Sequence, residues 1–326
     1  MAKPKVYVTR PLPGNALDEL KKFCEVEMQE EDRVATREEI KEGIKGKDAL
    51  LCLLTDKVDA ELLDINKNLK IVANYAVGFD NIDIPAATQR KVLITNTPGV
   101  LTETVADLAM GLMVAAARRV VEADKFTREC KYDGWGPSMF LGQDVYNKTL
   151  GIVGLGRIGK AVAVRAEKGF GMKILYNDPR QDLEFEKEFN AKFVDIETLL
   201  KQSDFISIHV PLLPQTKHMF SEKQFNMMKR SAILVNTSRG AIVDQTALGK
   251  ALKDKTIYAA ALDVYEDEPK CPVELIPLPN VIIVPHIASA SIETRAKMAD
   301  LAVQSILDFF NKKTPQNVVN KELLGG

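Results

Sequence analysis

The run Leu150-Gly151-Ile152-Val153-Gly154-Leu155-Gly156-Arg157-Ile158-Gly159 decides how this 326-residue chain is read. Its apolar start predicts a buried strand, and the glycines that follow spell GxGxxG at the opening of a helix. Alone, the pattern is weak. It gains weight because the next apolar run, 173–176, leads to an acid, Asp178, 24 positions beyond Gly154. The first glycine permits a tight turn, the second lets backbone approach a pyrophosphate, and the third lets helix and strand pack closely. The helix N-terminus then offers free N–H groups and a positive dipole end to phosphates. A carboxylate at Asp178 can accept both ribose hydroxyls of NAD and would repel the extra phosphate of NADP, so NAD(H) is favoured over NADP(H). Arg180 pulls the other way, because a guanidinium could accommodate that phosphate.

Outward from this run the chain alternates short apolar stretches with amphipathic ones, the signature of βαβ units. Upstream, strands are expected at 6–9, 49–54, 71–74 and 92–96, with a helix at 15–23, which makes a small flavodoxin-like unit. Pro98-Gly99 breaks the pattern, and 102–121 reads as one long helix with Thr102 as N-cap. The stretch 132–147, with the only tryptophan, Trp135, is long for a structureless connection. Downstream, strands are expected at 150–153, 173–176, 205–209, 232–236, 259–262 and 281–284, followed by a helix at 292–311. The expected fold is α/β, with two Rossmann-like or flavodoxin-like domains, doubly wound parallel sheets, and an active site in the cleft between them. Residues 1–99 plus 290–326 form the smaller, substrate domain. Residues 100–289 form the NAD(P)-binding Rossmann domain.

Composition narrows the function classes. Lys plus Arg number 44 and Asp plus Glu 45, a net charge of −1, which gives no electrostatic case for nucleic acid. With 46% hydrophobic and 27% charged residues the chain has material for large cores. No apolar run approaches the ~20 residues of a membrane span, and the first residues lack the apolar stretch of a signal peptide, so a cytoplasmic location is expected. Cys24, Cys52, Cys130 and Cys271 are scattered without metal-ligand spacing, so neither a disulfide framework nor a metal site is expected.

Three segments fall just after expected strands, where open α/β sheets place active-site groups. They are Asn236-Thr237-Ser238-Arg239-Gly240, Asp263-Val264-Tyr265-Glu266-Asp267-Glu268-Pro269 and Pro285-His286-Ile287-Ala288-Ser289. Together they supply a guanidinium, a carboxylate and an imidazole. That set suits reduction of a 2-oxo acid: a bidentate cation for the substrate carboxylate, and an acid for the carbonyl oxygen as hydride arrives. A carboxylate beside the imidazole would favour its charged form and fix its orientation. Glu266 and Glu268 compete for that place.

These motifs resemble the D-2-hydroxyacid dehydrogenase family, over almost the whole chain, and look most like its glyoxylate/hydroxypyruvate reductases. The resemblance is carried by Gly154–Gly159, the three segments above, residues 73–83 (ANYAVGFDNID) and residues 95–102 (TNTPGVLT). It implies reduction of glyoxylate and hydroxypyruvate with Arg239 as substrate anchor, Glu268 as partner of the histidine and His286 as proton donor. It further implies that backbone N–H groups around Ala76, Val77 and Gly78 grip the substrate carboxylate. Cofactor contacts are expected from Thr104, Gly154, Gly156, Arg157, Ile158, Asp178, His209, Val210, Pro211, Thr237, Ser238, Asp263, His286 and Ala288. Members are typically homodimers, and 102–147 matches the region they use. His218 is expected to be a packed or capping histidine. The alternatives are a D-3-phosphoglycerate or other D-2-hydroxyacid dehydrogenase, or an NAD(H)-sensing binding protein. Val77 stands where phosphite dehydrogenases carry lysine, which argues against phosphite.

Overall fold

The computed structural model describes residues 2–324. The chain divides into two compact units: the stretch up to Leu101 together with the chain from Ala290 onward, and Thr102–Ser289.

The first unit is a five-stranded parallel sheet. Its elements are β1 (Lys5–Val8), α1 (Ala16–Phe23), β2 (Glu25–Met28), α2 (Arg37–Gly43), β3 (Ala49–Cys52), α3 (Ala60–Ile65), β4 (Ile71–Asn74), α4 (Ile84–Gln89) and β5 (Leu93–Thr95). The strand order is β2-β1-β3-β4-β5, the flavodoxin-like order. β3 and β4 are buried at every position, as strands covered on both faces must be. The helices start on side-chain caps that accept a free N–H: Thr36 for α2, Asp59 for α3 and Asp83 for α4. The late helix 292–310 (Ile292–Phe310) packs on α1 and β4, and Tyr75 donates its hydroxyl proton to the Arg295 carbonyl at 2.7 Å. The edge strand β2 escapes the sequence reading because its alternating Glu-Val-Glu-Met is only half covered.

The second unit is a seven-stranded parallel sheet. It begins with α5 (Thr102–Ala117) and α6 (Val120–Arg128), followed by β6 (Thr149–Val153), α7 (Arg157–Phe170), β7 (Lys173–Asn177), α8 (Leu183–Phe189), β8 (Lys192–Phe193), α9 (Ile196–Gln202) and β9 (Phe205–Ile208). α10 (Glu222–Met227), β10 (Ile233–Asn236), α11 (Gln245–Lys253), β11 (Ala259–Leu262) and β12 (Val281–Ile283) complete it, and the helix 292–310 is α12. The order is β12-β11-β10-β9-β6-β7-β8, so the winding reverses between β6 and β9. In such sheets ligands bind at that reversal, outside the carboxyl ends of the strands. Six strands were expected here; the seventh, β8, is a two-residue exposed edge too short to leave a pattern.

The helix expected over 102–121 is two helices. Arg119 takes a left-handed φ of 54°, which separates α5 from α6 and makes it the N-cap of α6. Its guanidinium is held there by Glu122 at 2.5 Å and lies over the Phe140 ring at 5.0 Å. The stretch 132–147 forms no helix or strand, yet it is pinned to α5. Gln143 donates its N–H to the Ala117 carbonyl at 2.8 Å, and Gly142 lies so close that a Cβ there would overlap the same oxygen. Among the described residues, no helix is long and apolar enough to cross a membrane. None of their His, Cys, Asp and Glu side chains form a group that could hold a metal ion. Cys24 and Cys52 are buried, Cys130 and Cys271 exposed, and all four are free thiols.

Candidate active site

The turn from β6 into α7 is built by its glycines. Gly154 has φ +95°, and a Cβ there would sit 2.9 Å from both the carbonyl carbon and the oxygen of His209, across the reversal in the sheet. A Cβ on Gly159 would overlap the Gly154 carbonyl oxygen, so this helix can approach its strand only with glycine. Gly156 differs: it is the N-cap of α7 with no side-chain cap, and a Cβ there would meet no heavy atom within 4 Å. Nothing in the protein demands glycine at that point, whereas a pyrophosphate lying on the helix N-terminus would. Arg157 next to it is exposed and Ile158 half-buried.

Asp178 follows β7. One carboxylate oxygen accepts the Leu155 N–H at 2.9 Å and the other accepts the Arg180 N–H at 3.1 Å, so the acid braces the glycine turn. Each oxygen keeps lone pairs for further donors. His209 follows β9 with Nε2 2.8 Å from the Ser207 hydroxyl, and burial pushes its pKa down to about 3, which keeps the ring neutral. The Val210 carbonyl accepts the Ser238 hydroxyl proton, and the Pro211 carbonyl accepts that of Thr216 at 2.7 Å. Thr237 is buried, and its hydroxyl oxygen has no partner in the protein. A buried hydroxyl without a partner is costly unless a ligand supplies one. Thr104 lies in the first turn of α5.

Arg239, Glu268 and His286 follow the adjacent strands β10, β11 and β12. Asn236, fully buried at the end of β10, shapes the turn that carries Arg239: its amide donates to the Arg239 carbonyl at 2.9 Å and its oxygen accepts the Ser238 N–H at 3.0 Å. His286 holds Nδ1 2.9 Å from Glu268 Oε2, with about a quarter of each side chain exposed. A carboxylate only accepts, so Nδ1 carries the proton of this bond, and Nε2 is left for chemistry. The backbone of His286 is left-handed, with φ 54°, and its N–H donates to the Asp263 carbonyl at 2.9 Å. Asp263 is fully buried. Its two carboxylate oxygens accept the N–H groups of Ile287 at 2.6 Å and Ala288 at 2.9 Å, and burial pushes its pKa up. Asp263 therefore acts on the backbone that presents His286.

Glu266 and Glu268, rivals in sequence, go to different histidines. Glu266 Oε1 lies 2.5 Å from Nε2 of His218. His218 is expected to be packed or capping; instead two-fifths of its side chain is exposed and its ring is hydrogen-bonded to Glu266, from a backbone that is left-handed with φ 50°. The sequence reading also missed what Asn236 does, although a polar residue closing an apolar strand is a recognisable turn signal.

In the first unit, the loop after β4 turns its carbonyls inward. Thr97 donates its N–H to the Ala76 carbonyl at 2.8 Å, the Asn96 amide to Val77 at 2.8 Å and the Asn74 amide to Gly78 at 2.9 Å. The asparagines thus fix the path of the loop through its oxygens, while the Ala76 N–H is itself donated to the Asn74 carbonyl at 2.8 Å.

Residues 110–288 match the family model described as D-isomer specific 2-hydroxyacid dehydrogenase, NAD binding domain. The chain is 52% identical over 324 residues to the glyoxylate reductase of Korarchaeum cryptofilum (strain OPF8), covering 99% of this chain and 97% of that one. Among solved structures, a protein from Thermus thermophilus is 41% identical with a TM-score of 0.91, over 97% of this chain and 99% of that one. The NADPH-dependent glyoxylate/hydroxypyruvate reductase of Sinorhizobium meliloti, solved with NADP and malonate, is 30% identical with a TM-score of 0.85, over 98% and 97%.

Proposed function

Because the chain belongs to the D-isomer specific 2-hydroxyacid dehydrogenase family, we propose that it reduces glyoxylate and hydroxypyruvate, with His286 as the general acid. It is an NAD(P)-dependent oxidoreductase of small 2-oxo acids. The observation that carries the residue roles is the His286–Glu268 pair at 2.9 Å, beside the strand that leads to Arg239.

The open space at Gly156 and the unpartnered Thr237 hydroxyl fit a dinucleotide, with Gly154, Arg157, Ile158, Asp178 and the 209–211 segment around it. When bound, NAD(P)H supplies the hydride that converts the 2-oxo carbon to a 2-hydroxy carbon. Arg239 anchors the substrate carboxylate through two N–H donors, which a lysine could not present in the same plane. His286 gives the proton on Nε2 to the carbonyl oxygen as negative charge grows there, and Glu268 steadies the ring that is left. His209, neutral and turned to Ser207, is no rival for that role.

Two finer readings belong with this one. Asp178 at the end of β7 supports NAD(H) over NADP(H), by attraction for ribose hydroxyls and repulsion of a 2′-phosphate. A homodimer through 102–147 is supported by the apolar side chains exposed there, including Val121, Trp135, Leu141 and Tyr146. Val121 lines a cleft of about 470 Å³ together with Arg119, Phe126, Phe140, Tyr258 and Ile276.

The test is nicotinamide absorbance in four reactions, NADH or NADPH with glyoxylate or hydroxypyruvate. Fast oxidation of NADH is expected with at least one substrate. A clear preference for NADPH would overturn the role given to Asp178 and transfer it to Arg180. No turnover in all four would overturn the substrate assignment.

A further inference from the structure

Of the two acids after β11, Glu268 is the less anchored. It stands on an exposed stretch, 267–270, and the oxygen that does not face His286 accepts the Tyr265 N–H at 3.0 Å. Glu266, two residues earlier, is held from three directions. His218 Nε2 is 2.5 Å from its Oε1, and the Gln245 N–H donates to its Oε2 at 3.1 Å. Its own N–H donates to the Gln245 side-chain oxygen at 3.1 Å. His218 is tied in turn by its N–H to the Ala241 carbonyl at 2.8 Å, and Gln245 is the first residue of α11, capped by Asp244. The turn after Arg239 closes the fourth side: a Cβ on Gly240 would overlap the Tyr265 carbonyl and lie 2.6 Å from the Glu266 nitrogen.

We propose that Glu266, clamped by His218 and Gln245, is a positioning residue that fixes the 265–268 segment and so holds Glu268 on His286. An isolated exposed His–Glu pair contributes little to stability. This one differs because the reciprocal backbone and side-chain bonds to Gln245 fix Glu266 at both ends. The Gly240 contact then ties the same segment to the turn that presents Arg239. One clamp therefore sets the carboxylate, the imidazole and, through Gly240, the guanidinium. A displacement of about 1 Å at a proton-donating group can cost on the order of a hundredfold in rate. The inference rests on the roles proposed above for Arg239, Glu268 and His286.

The experiment compares Glu266→Ala, His218→Ala, His218→Gln and His286→Ala. It measures kcat and KM for glyoxylate, the NADH dissociation constant by fluorescence, and thermal unfolding. Glu266→Ala and His218→Ala should lower kcat about tenfold while NADH affinity stays within about twofold, since the cofactor turn is not touched. His218→Gln keeps a side-chain donor and should restore most of kcat. Should Glu266→Ala fail to fold, the His218 pair decides, because that ring is partly exposed. Folded His218→Ala and Glu266→Ala proteins with unchanged kcat overturn the clamp while His286→Ala remains inactive. Retained turnover in His286→Ala overturns the catalytic assignment itself, and the clamp with it. A His218→Gln protein no better than His218→Ala also counts against the proposal.

Discussion

Two histidines at the ends of different strands of one sheet illustrate how environment assigns a role. His286 has a carboxylate on Nδ1 and a side chain about a quarter exposed. His209 has a hydroxyl partner on a half-buried side chain, and desolvation pushes its pKa from the ordinary 6.5 to about 3. That shift carries a stability consequence. The folded-state pKa lies below the unfolded one, so between about pH 6.5 and pH 3 the unfolded chain binds the extra proton, and stability rises with pH across that window. His209→Gln keeps a partner for Ser207 and removes the titration. Urea unfolding at pH 7 and pH 5 should show a larger loss in the natural protein than in the variant. Equal losses in both would show that His209 does not titrate with folding.

At the scale of the element, the β6–α7 turn is where sequence and packing meet most tightly. Gly159 has an ordinary helical backbone, so its requirement is purely one of space: a Cβ would overlap the Gly154 carbonyl. Overpacking of this kind costs typically about 2 kcal/mol, because backbone has to move. Gly159→Ala should therefore lower the denaturation midpoint and weaken NADH binding together, as the helix is pushed off its strand. Gly156→Ala meets no protein atom. It should leave the midpoint nearly unchanged and still weaken NADH binding. A matched loss of stability in both variants would show that the second glycine serves the protein and not a ligand. GxGxxG was legible from residue spacing alone, yet the different reasons for its three glycines were not, since they depend on His209 and on what faces each Cα. The reading of 102–121 as one helix failed for a similar reason. α5 and α6 are both helical by pattern, and the break lies in one left-handed residue held by Glu122 and Phe140.

At the scale of the whole molecule, the second unit exposes more apolar surface along 120–146 than a solitary surface needs: Val120, Val121, Tyr132, Trp135, Leu141 and Tyr146 are each about half exposed or more. Light scattering should find a dimer, and Val121→Asp with Leu141→Asp should convert it to monomer while the NADH site persists. A natural protein that runs as a monomer at micromolar concentration would sink the assignment.

The sequence by itself determined the α/β class, the parallel sheets, the site of the nucleotide turn and the three segments that bear Arg239, Glu268 and His286. Those signals are local: apolar runs long enough to be buried strands, glycines at fixed offsets, polar residues just past strand ends. It did not determine the edge strands β2 and β8, whose few residues gain their conformation from a neighbouring strand. Nor did residue spacing decide between Glu266 and Glu268, which differ by two positions in one acidic run. Only the folded backbone, turning through a left-handed Asp267, sends one to His218 and the other to His286. Asp263 is the same kind of case, an acid whose partners lie 24 and 25 positions away at Ile287 and Ala288. Pattern is set by neighbours in the chain, and pairing by neighbours in space that the chain brings together only when it folds.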